Sequence, residues 1–208
     1  MTISLNFELN DRDLEHFRAE MEAAKKSAAG KSPAEIIDCA ANLLVDAQKG
    51  TIPDFILLRL LRLDDMIAMA RDEAWALAGE DRDRVLGALA YFCNPDDVIP
   101  DHVQVLGYLD DAIMIELSVR ELTHELDAYD DFCDYRAAQA VRLGVEAQNV
   151  GRADWLESRR EELVERMHNR RRRDSGAQGS GYGNSSGYAA GSSRSYARTW
   201  RPGMFKFR

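Results

Sequence analysis

Apolar side chains recur at intervals of three and four residues along most of the chain, which is the spacing of one face of an α-helix. The first such run predicts a helix over residues 11–29 and consists of Leu14, Phe17, Met21 and Ala24. Alternation of apolar and polar residues, which indicates strands, is rare, and the chain has only five prolines to interrupt helices. The pattern therefore predicts an all-α protein.

The sequence also contains residues that are typical of helix N-termini. Asp11 or Asp13 can cap the first predicted helix. Ser32 precedes Pro33 and is followed three residues later by Glu35, the arrangement of a capping box with proline at the first helical position. We expect that helix to cover residues 33–49.

The same reasoning divides the rest of the chain. The further predicted helices are 53–78, 81–93, 108–129, 131–148 and 153–172, with a connector at 95–107. After residue 173 the composition changes to Gly, Ser, Tyr and Arg, which cannot build a core. The expected architecture is a single helical bundle of six or seven helices with a disordered C-terminal tail. Its regions are 1–84 (N-terminal helices), 85–128 (motif region), 129–173 (C-terminal helices) and 174–208 (tail).

Charge is unevenly distributed. The whole chain has a net charge of −9, whereas residues 170–208 carry nine basic side chains and one acidic one, a net charge of +8. The other 169 residues therefore carry about −17. An acidic body of this kind repels phosphate, so any nucleic-acid or anionic-membrane contact is expected through the tail.

The three cysteines, Cys39, Cys93 and Cys133, are far apart and lack a Cys-x-x-Cys spacing. This indicates free thiols in a reducing compartment. The first residues show no basic stretch followed by a long apolar run, and no apolar run approaches about 18 residues. We expect a cytoplasmic protein, with peripheral membrane association as an alternative.

Acidic residues cluster within an otherwise apolar stretch in the middle of the chain. Asp97, Asp101, Asp110 and Asp111 supply hard oxygen ligands that would suit Mg²⁺, Mn²⁺ or Ca²⁺. The same residues also suit helix entry, because aspartates near prolines cap backbone N–H groups and aspartates in a first turn are favoured by the helix dipole. Local capping needs fewer coincidences, so we favour it over a metal site.

The cluster lies within a recognisable motif: Asn94-Pro95-x-Asp97-x-Ile99-Pro100-Asp101, followed by Val105-Leu106-Gly107-Tyr108-Leu109-Asp110-Asp111. This arrangement resembles the signature of the YkvA-like domain, a bacterial family of unknown function, over residues 85–120. Asp96 and His102 depart from the family pattern, which usually has an apolar and an aromatic residue there. The resemblance implies a small helical domain and carries no activity.

A weaker version of the motif lies upstream, where Ile52-Pro53-Asp54 is followed by Leu63-Asp64-Asp65. If the two segments are a repeat, their aspartate pairs could be brought together by pseudo-symmetry. We favour the simpler interpretation that Pro-Asp is a common helix opening and the match is chance.

Three histidines follow an acidic residue by three positions: Asp13/His16, Glu121/His124 and Glu165/His168. Such pairs hold metal in di-iron bundles, but they are also ordinary features of helix surfaces, which is the interpretation we favour. By its place beside Asp101, His102 is the histidine best situated for chemistry. The chain has no phosphate-binding glycine loop and no dinucleotide fingerprint, which lowers the odds of a common enzyme.

Arginines and aromatic residues alternate with Gly and Ser toward the C-terminus. The expected contacts with a partner are Arg170, Arg171, Arg172, Arg173, Arg194, Arg198, Trp200 and Arg201. Such a segment can bind RNA or single-stranded DNA by phosphate pairing and base stacking, or an anionic membrane. A protein partner or self-association is a further alternative.

Together these features favour a non-enzymatic helical interaction or regulatory protein whose basic tail contacts an anionic partner. The alternatives are a metal-dependent enzyme or divalent-metal-binding protein that uses Asp97–Asp111 and a peripheral membrane protein.

Overall fold

The computed structural model describes residues 10–49, 52–93, 107–147, 150 and 154–177. These residues form seven α-helices and two 3-10 helices and include no strand, which confirms the all-α prediction. The α-helices are α1 (Asp11–Ser27), α2 (Pro33–Ala47), α3 (Asp54–Arg71), α4 (Gly79–Leu89), α5 (Leu109–Glu121), α6 (Thr123–Leu143) and α7 (Asp154–Ala177). The 3-10 helices are Ala28–Gly30 and Ala90–Cys93.

The start of α2 is confirmed. The Glu35 N–H donates to the Ser32 hydroxyl at 3.3 Å, and the Ser32 N–H donates to the Glu35 carboxylate at 2.6 Å. Pro33 occupies the first turn, where its missing N–H costs nothing. The cap of α1 differs from the prediction, because Asn10 is the N-cap and accepts from the N–H groups of Arg12 and Asp13.

The helix predicted over 53–78 is shorter than expected. It ends at Arg71 because the Asp72 side chain accepts from the N–H groups of Ala74 and Trp75, at 3.0 and 3.3 Å. A carboxylate that takes these donors gives the chain an alternative to another helical turn. The next helix, α4, begins at Gly79, whose φ is +56°.

The predicted boundary near residue 130 was also wrong. The chain bends at Leu122, between α5 and α6, where the Thr123 hydroxyl donates to the carbonyls of Val119 and Arg120 at 2.9 and 3.0 Å. Leu122 is fully buried, and neither glycine nor proline marks the bend in the sequence. The next helix, α6, then ends at Gly144, whose φ of +68° is a conformation that glycine adopts without steric cost.

The last helix is longer than predicted. It runs to Ala177, so residues 174–177 belong to α7 and the four consecutive arginines lie within the helix. Residues 178–208 lie outside the described part, as does the prediction that they are disordered.

The main apolar core draws on α2 through α7 and is built largely from Leu, Ile, Met and Ala. A smaller cluster holds α1 against the second 3-10 helix and α5 through Met21, Ala24, Tyr91 and Met114. Among the helices described, none has both the length and the apolar character that crossing a membrane requires.

A buried ion pair crosses this core. Arg136 of α6 donates to both carboxylate oxygens of Asp72, at 3.0 and 2.6 Å, and the Tyr129 hydroxyl donates to Asp72 at 2.9 Å. Burial, together with the negative charge of neighbouring groups, raises the pKa of Tyr129, so its hydroxyl remains a donor. The Trp75 ring contacts Tyr129 and Phe132 edge-on or tilted, so the polar cluster is enclosed by aromatic side chains.

We predict that Arg136→Met lowers the free energy of unfolding by about 3 kcal/mol, because it leaves the Asp72 carboxylate buried without its cation. Arg71→Met is the matched control, since its partner Asp38 is exposed; it should cost less than about 1 kcal/mol. Urea denaturation followed by circular dichroism measures both. Equal losses in the two variants would contradict this role for Asp72–Arg136.

Candidate functional site

Two pairs of aspartates are buried on helices that pack together. Asp64 and Asp65 of α3 are 2% and 6% exposed, and Asp110 and Asp111 of α5 are 2% and 5% exposed. Carboxylates at this depth require hydrogen bonds or counter-charges. Each of the four has such an interaction, and Asp65 accepts from Arg62 at 3.0 Å.

The two pairs do not form a metal-binding group. Within the described ranges, no three His, Cys, Asp or Glu side chains come together to hold one ion. Asp110 and Asp111 lie in the first turn of α5, where the helix dipole favours negative charge. Asp64 and Asp65 lie in the interior of α3 instead, so the two Leu-Asp-Asp segments occupy different positions in their helices.

Most of the signature residues lie outside the described part: Asn94, Pro95, Asp97, Ile99, Pro100, Asp101 and His102. Of the rest, Gly107 is buried, and Tyr108 precedes α5 and packs partly against the core. The predicted metal set that includes Asp97 and Asp101 therefore remains a prediction, and so does the structural role of the prolines.

A second buried ion network joins α4, α6 and α7. Glu125 of α6 is fully buried, and its Oε1 accepts from Arg84 at 2.8 Å and from Arg171 at 3.0 Å. Arg84 also donates to the Glu121 carbonyl at 2.9 Å. Two guanidinium groups therefore converge on one carboxylate oxygen and compensate its loss of hydration.

Arg171 and His168 extend the network to Asp81 at the start of α4. Arg171 donates to Asp81 Oδ1 at 2.8 Å, and His168 Nε2 lies 2.7 Å from Asp81 Oδ2. Burial opposes the charge on Arg171, but its hydrogen bonds to Asp81 and Glu125 outweigh that effect and raise its pKa. The network fixes the C-terminal half of α7 to α4 and α6.

Two of the three histidines that follow an acid by three residues contact an acid of another helix. His168 contacts Asp81 instead of Glu165, and His124 lies 2.9 Å from Asp174 instead of contacting Glu121. Both contacts join different helices, so spacing within one helix did not reveal them.

An open cleft of about 730 Å³ lies beside this network, between the segment preceding α4 and the side of α7. Among its lining residues are Trp75, Asp81, His168 and Arg171. Ala76, which also lines it, has a φ of +51°, a conformation uncommon for residues other than glycine. At the cleft, His168 and Arg171 both contact Asp81, and the Ser175 hydroxyl donates to the Arg172 carbonyl at 3.1 Å.

The four consecutive arginines face different directions. Arg171 points to the network, whereas Arg170, Arg172 and Arg173 are exposed. Arg170 and Arg173 share a shallow surface with Arg166, because residues at intervals of three and four lie on one helix face. We call Arg170, Arg172 and Arg173 the basic end of α7.

A family model described as "Protein of unknown function (DUF1232)" matches residues 84–117. The matched segment is consistent with a YkvA-like domain of unknown function. The resemblance is thereby confirmed for this part of the chain, which runs from the second half of α4 into α5. No curated protein and no solved structure matches the chain. The ion network extends beyond the matched segment, because Glu125 and Arg171 lie outside it.

Neither buried network was predicted from the sequence, although a signal was present. Glu125 and Arg136 lie on the apolar face of α6, in register with Leu126, Tyr129 and Cys133. A charged residue in such a register indicates a buried ion pair. The identity of its partner depends on helix packing and could not be read from spacing.

We predict that Asp110→Asn lowers the free energy of unfolding by about 1–3 kcal/mol, because it weakens the hydrogen bonding of a buried carboxylate. Asp83→Asn, at an exposed position of α4, is the control and should change little. Millimolar Mg²⁺, Mn²⁺ or Ca²⁺ should leave the wild-type melting temperature unchanged. A rise of several degrees that Asp110→Asn abolishes would favour the metal-binding alternative.

We also predict that Arg171→Met loosens the C-terminal half of α7, because Asp81 and Glu125 lose a shared cation. Hydrogen exchange should accelerate across residues 168–177. Arg172→Met is the matched control, since Arg172 is exposed and bonds only Asn169 of its own helix in the described structure. Equal exchange in the two variants would show that Arg171 does not anchor α7.

Proposed function

We propose that this is a non-enzymatic interaction protein whose helical body holds α7 in place and whose basic C-terminal region binds single-stranded nucleic acid. The observation that carries the proposal is the division of the four arginines at the end of α7. One is used internally, and the basic end of α7 is left to solvent.

The anchoring gives the basic end a defined position. Arg171 and His168 bind Asp81, and Asp174 at the far end pairs with His124 of α6. Contacts on both sides of Arg172 and Arg173 therefore limit the motion of this helix end. Because the helix is already ordered, binding costs less conformational entropy than it would from an unfolded segment.

The surrounding charge favours an anionic ligand. Two acids, Glu162 and Glu165, share this surface with the arginines. Glu162 is bonded to both Arg159 and Arg166, which holds the pKa of Glu162 below its usual range and offsets its charge. Arg170 and Arg173 lie further toward the C-terminal end of α7 than Glu162 and its two arginine partners. Phosphate groups spaced along a nucleic-acid strand can contact successive guanidinium groups, with release of counterions.

The remaining C-terminal sequence supplies the second part of the ligand-binding region. Residues 178–208 carry five more basic side chains and only uncharged residues otherwise. Tyr182, Tyr188, Tyr196 and Trp200 are spaced among them and offer stacking surfaces to unpaired bases. The predicted contacts Arg194, Arg198 and Arg201 fall here and continue the basic end of α7 along the chain.

We predict that Arg170→Glu with Arg173→Glu weakens binding of a labelled single-stranded RNA by about tenfold or more, because two phosphate contacts become repulsive. Fluorescence anisotropy of the full chain at several salt concentrations measures the effect. The salt dependence of log K should also become shallower by about 1–2. Arg12→Glu with Arg18→Glu, at exposed positions of α1, makes the same charge change away from α7 and should leave affinity within about twofold.

A chain ending at Ala177 should keep its melting temperature and lose most of its affinity. If this truncated chain binds RNA fully at physiological salt, the C-terminal sequence is not the contact region. If the full chain binds vesicles containing phosphatidylserine but not RNA, the peripheral membrane alternative replaces the proposal.

A further inference from the structure

Two cysteines that are distant in the sequence meet on the surface of the bundle. Cys39 lies in α2, and Cys93 is the last residue of the second 3-10 helix, which packs closely against α2. The Cys93 thiol lies 3.9 Å from the carbonyl oxygen of Ile36, one turn before Cys39. Cys39 follows Ile36 by three residues, so it lies on the same side of α2 as the carbonyl that the Cys93 thiol approaches.

We propose that Cys39 and Cys93 form an oxidation site that closes to a reversible disulfide. Both side chains are partly exposed, so a small oxidant can reach them. The third cysteine differs from these two, because Cys133 of α6 is fully buried in the apolar core beside Arg136. Accessibility and proximity thus select one pair among the three cysteines.

The reaction balances with hydrogen peroxide as the oxidant. The Cys39 sulfur attacks one peroxide oxygen, the O–O bond breaks, and the departing hydroxide becomes water after protonation. The resulting sulfenic acid is attacked by the Cys93 sulfur, which loses its proton as the S–S bond forms and a second water leaves. Two thiols are oxidised, and one peroxide is reduced to two waters.

The surroundings of Cys93 assign it the second step. Burial, followed by the effect of the neighbouring Cys39 thiol, raises the pKa of the Cys93 thiol to about 12. Nearby Lys31 lowers this pKa and Glu35 raises it, both by smaller amounts. A thiol that holds its proton is a poor first nucleophile toward peroxide, whereas it can still resolve a sulfenic acid placed against it.

The disulfide would link α2 covalently to the segment that matches the family model. Cys93 directly precedes Asn94-Pro95, the start of the signature motif, and lies within the matched residues 84–117. In the reducing compartment that the sequence predicts, the thiols would stay reduced, and the link would form only under oxidative stress.

The test treats the full chain with hydrogen peroxide, then unfolds it in urea, blocks the remaining thiols with an alkylating reagent and maps the products by mass spectrometry. The expected product is a monomer with a Cys39–Cys93 linked peptide and a single alkylated cysteine, Cys133. Dithiothreitol should restore three alkylated cysteines. Oxidation should also raise the melting temperature, because the new bond constrains the unfolded chain.

Cys39→Ser and Cys93→Ser should each abolish the linked peptide, and Cys133→Ser should leave its yield within about twofold of the wild type, since Cys133 takes no part in the exchange. Oxidation of the wild type in urea controls for chance pairing, because the preference for Cys39–Cys93 over pairs with Cys133 should disappear. Intermolecular dimers as the main product, a pairing with Cys133, or a sulfinic acid on Cys39 beside free Cys93 would each overturn the proposal.

Discussion

Arg136 and Asp72 meet inside the bundle through two short hydrogen bonds, and much of the architecture depends on that contact. The same Asp72 side chain accepts hydrogen bonds from the backbone of Ala74 and Trp75. One carboxylate therefore both forms the ion pair and ends α3. The chain then turns toward α4 with Trp75 packed against the aromatic residues of α6. Because a buried charge without its partner is so costly, the position of α6 against the end of α3 is strongly specified.

The network around Glu125 has a similar role where α4, α6 and α7 meet. It joins the start of α4, the start of α6 and the C-terminal half of α7, whose own sequence is too polar to be held by apolar contacts alone. Leu156, Leu163 and Met167 bury the first part of α7, and Arg171 continues the same face with a charged contact. The helix is thus anchored along its length, while Arg170, Arg172 and Arg173 at its C-terminal end remain exposed.

The segment matched by the family model occupies a central place in this arrangement. Its described residues supply Arg84 to the Glu125 network, Cys93 to the packing against α2, and Asp110 and Asp111 to the packing of α5 against α3. The polar residues of this segment therefore contact parts of the chain that lie outside the match. The proposed nucleic-acid contact lies on α7 and beyond, so the matched segment would act as part of the scaffold for it.

The sequence by itself determined the helical class and the helix boundaries that depend on local chemistry, as at the Ser32–Glu35 capping box, because such caps involve residues close in the chain. It did not determine the end of α3 at Asp72 or the bend at Leu122, since both depend on side chains buried by other helices. The aspartate pairs could be recognised as unusual, but their burial between α3 and α5 required the packing. The partners of His168, Arg171 and Arg136 lie more than forty residues away, and only the tertiary structure selects among the many acids that could pair with them.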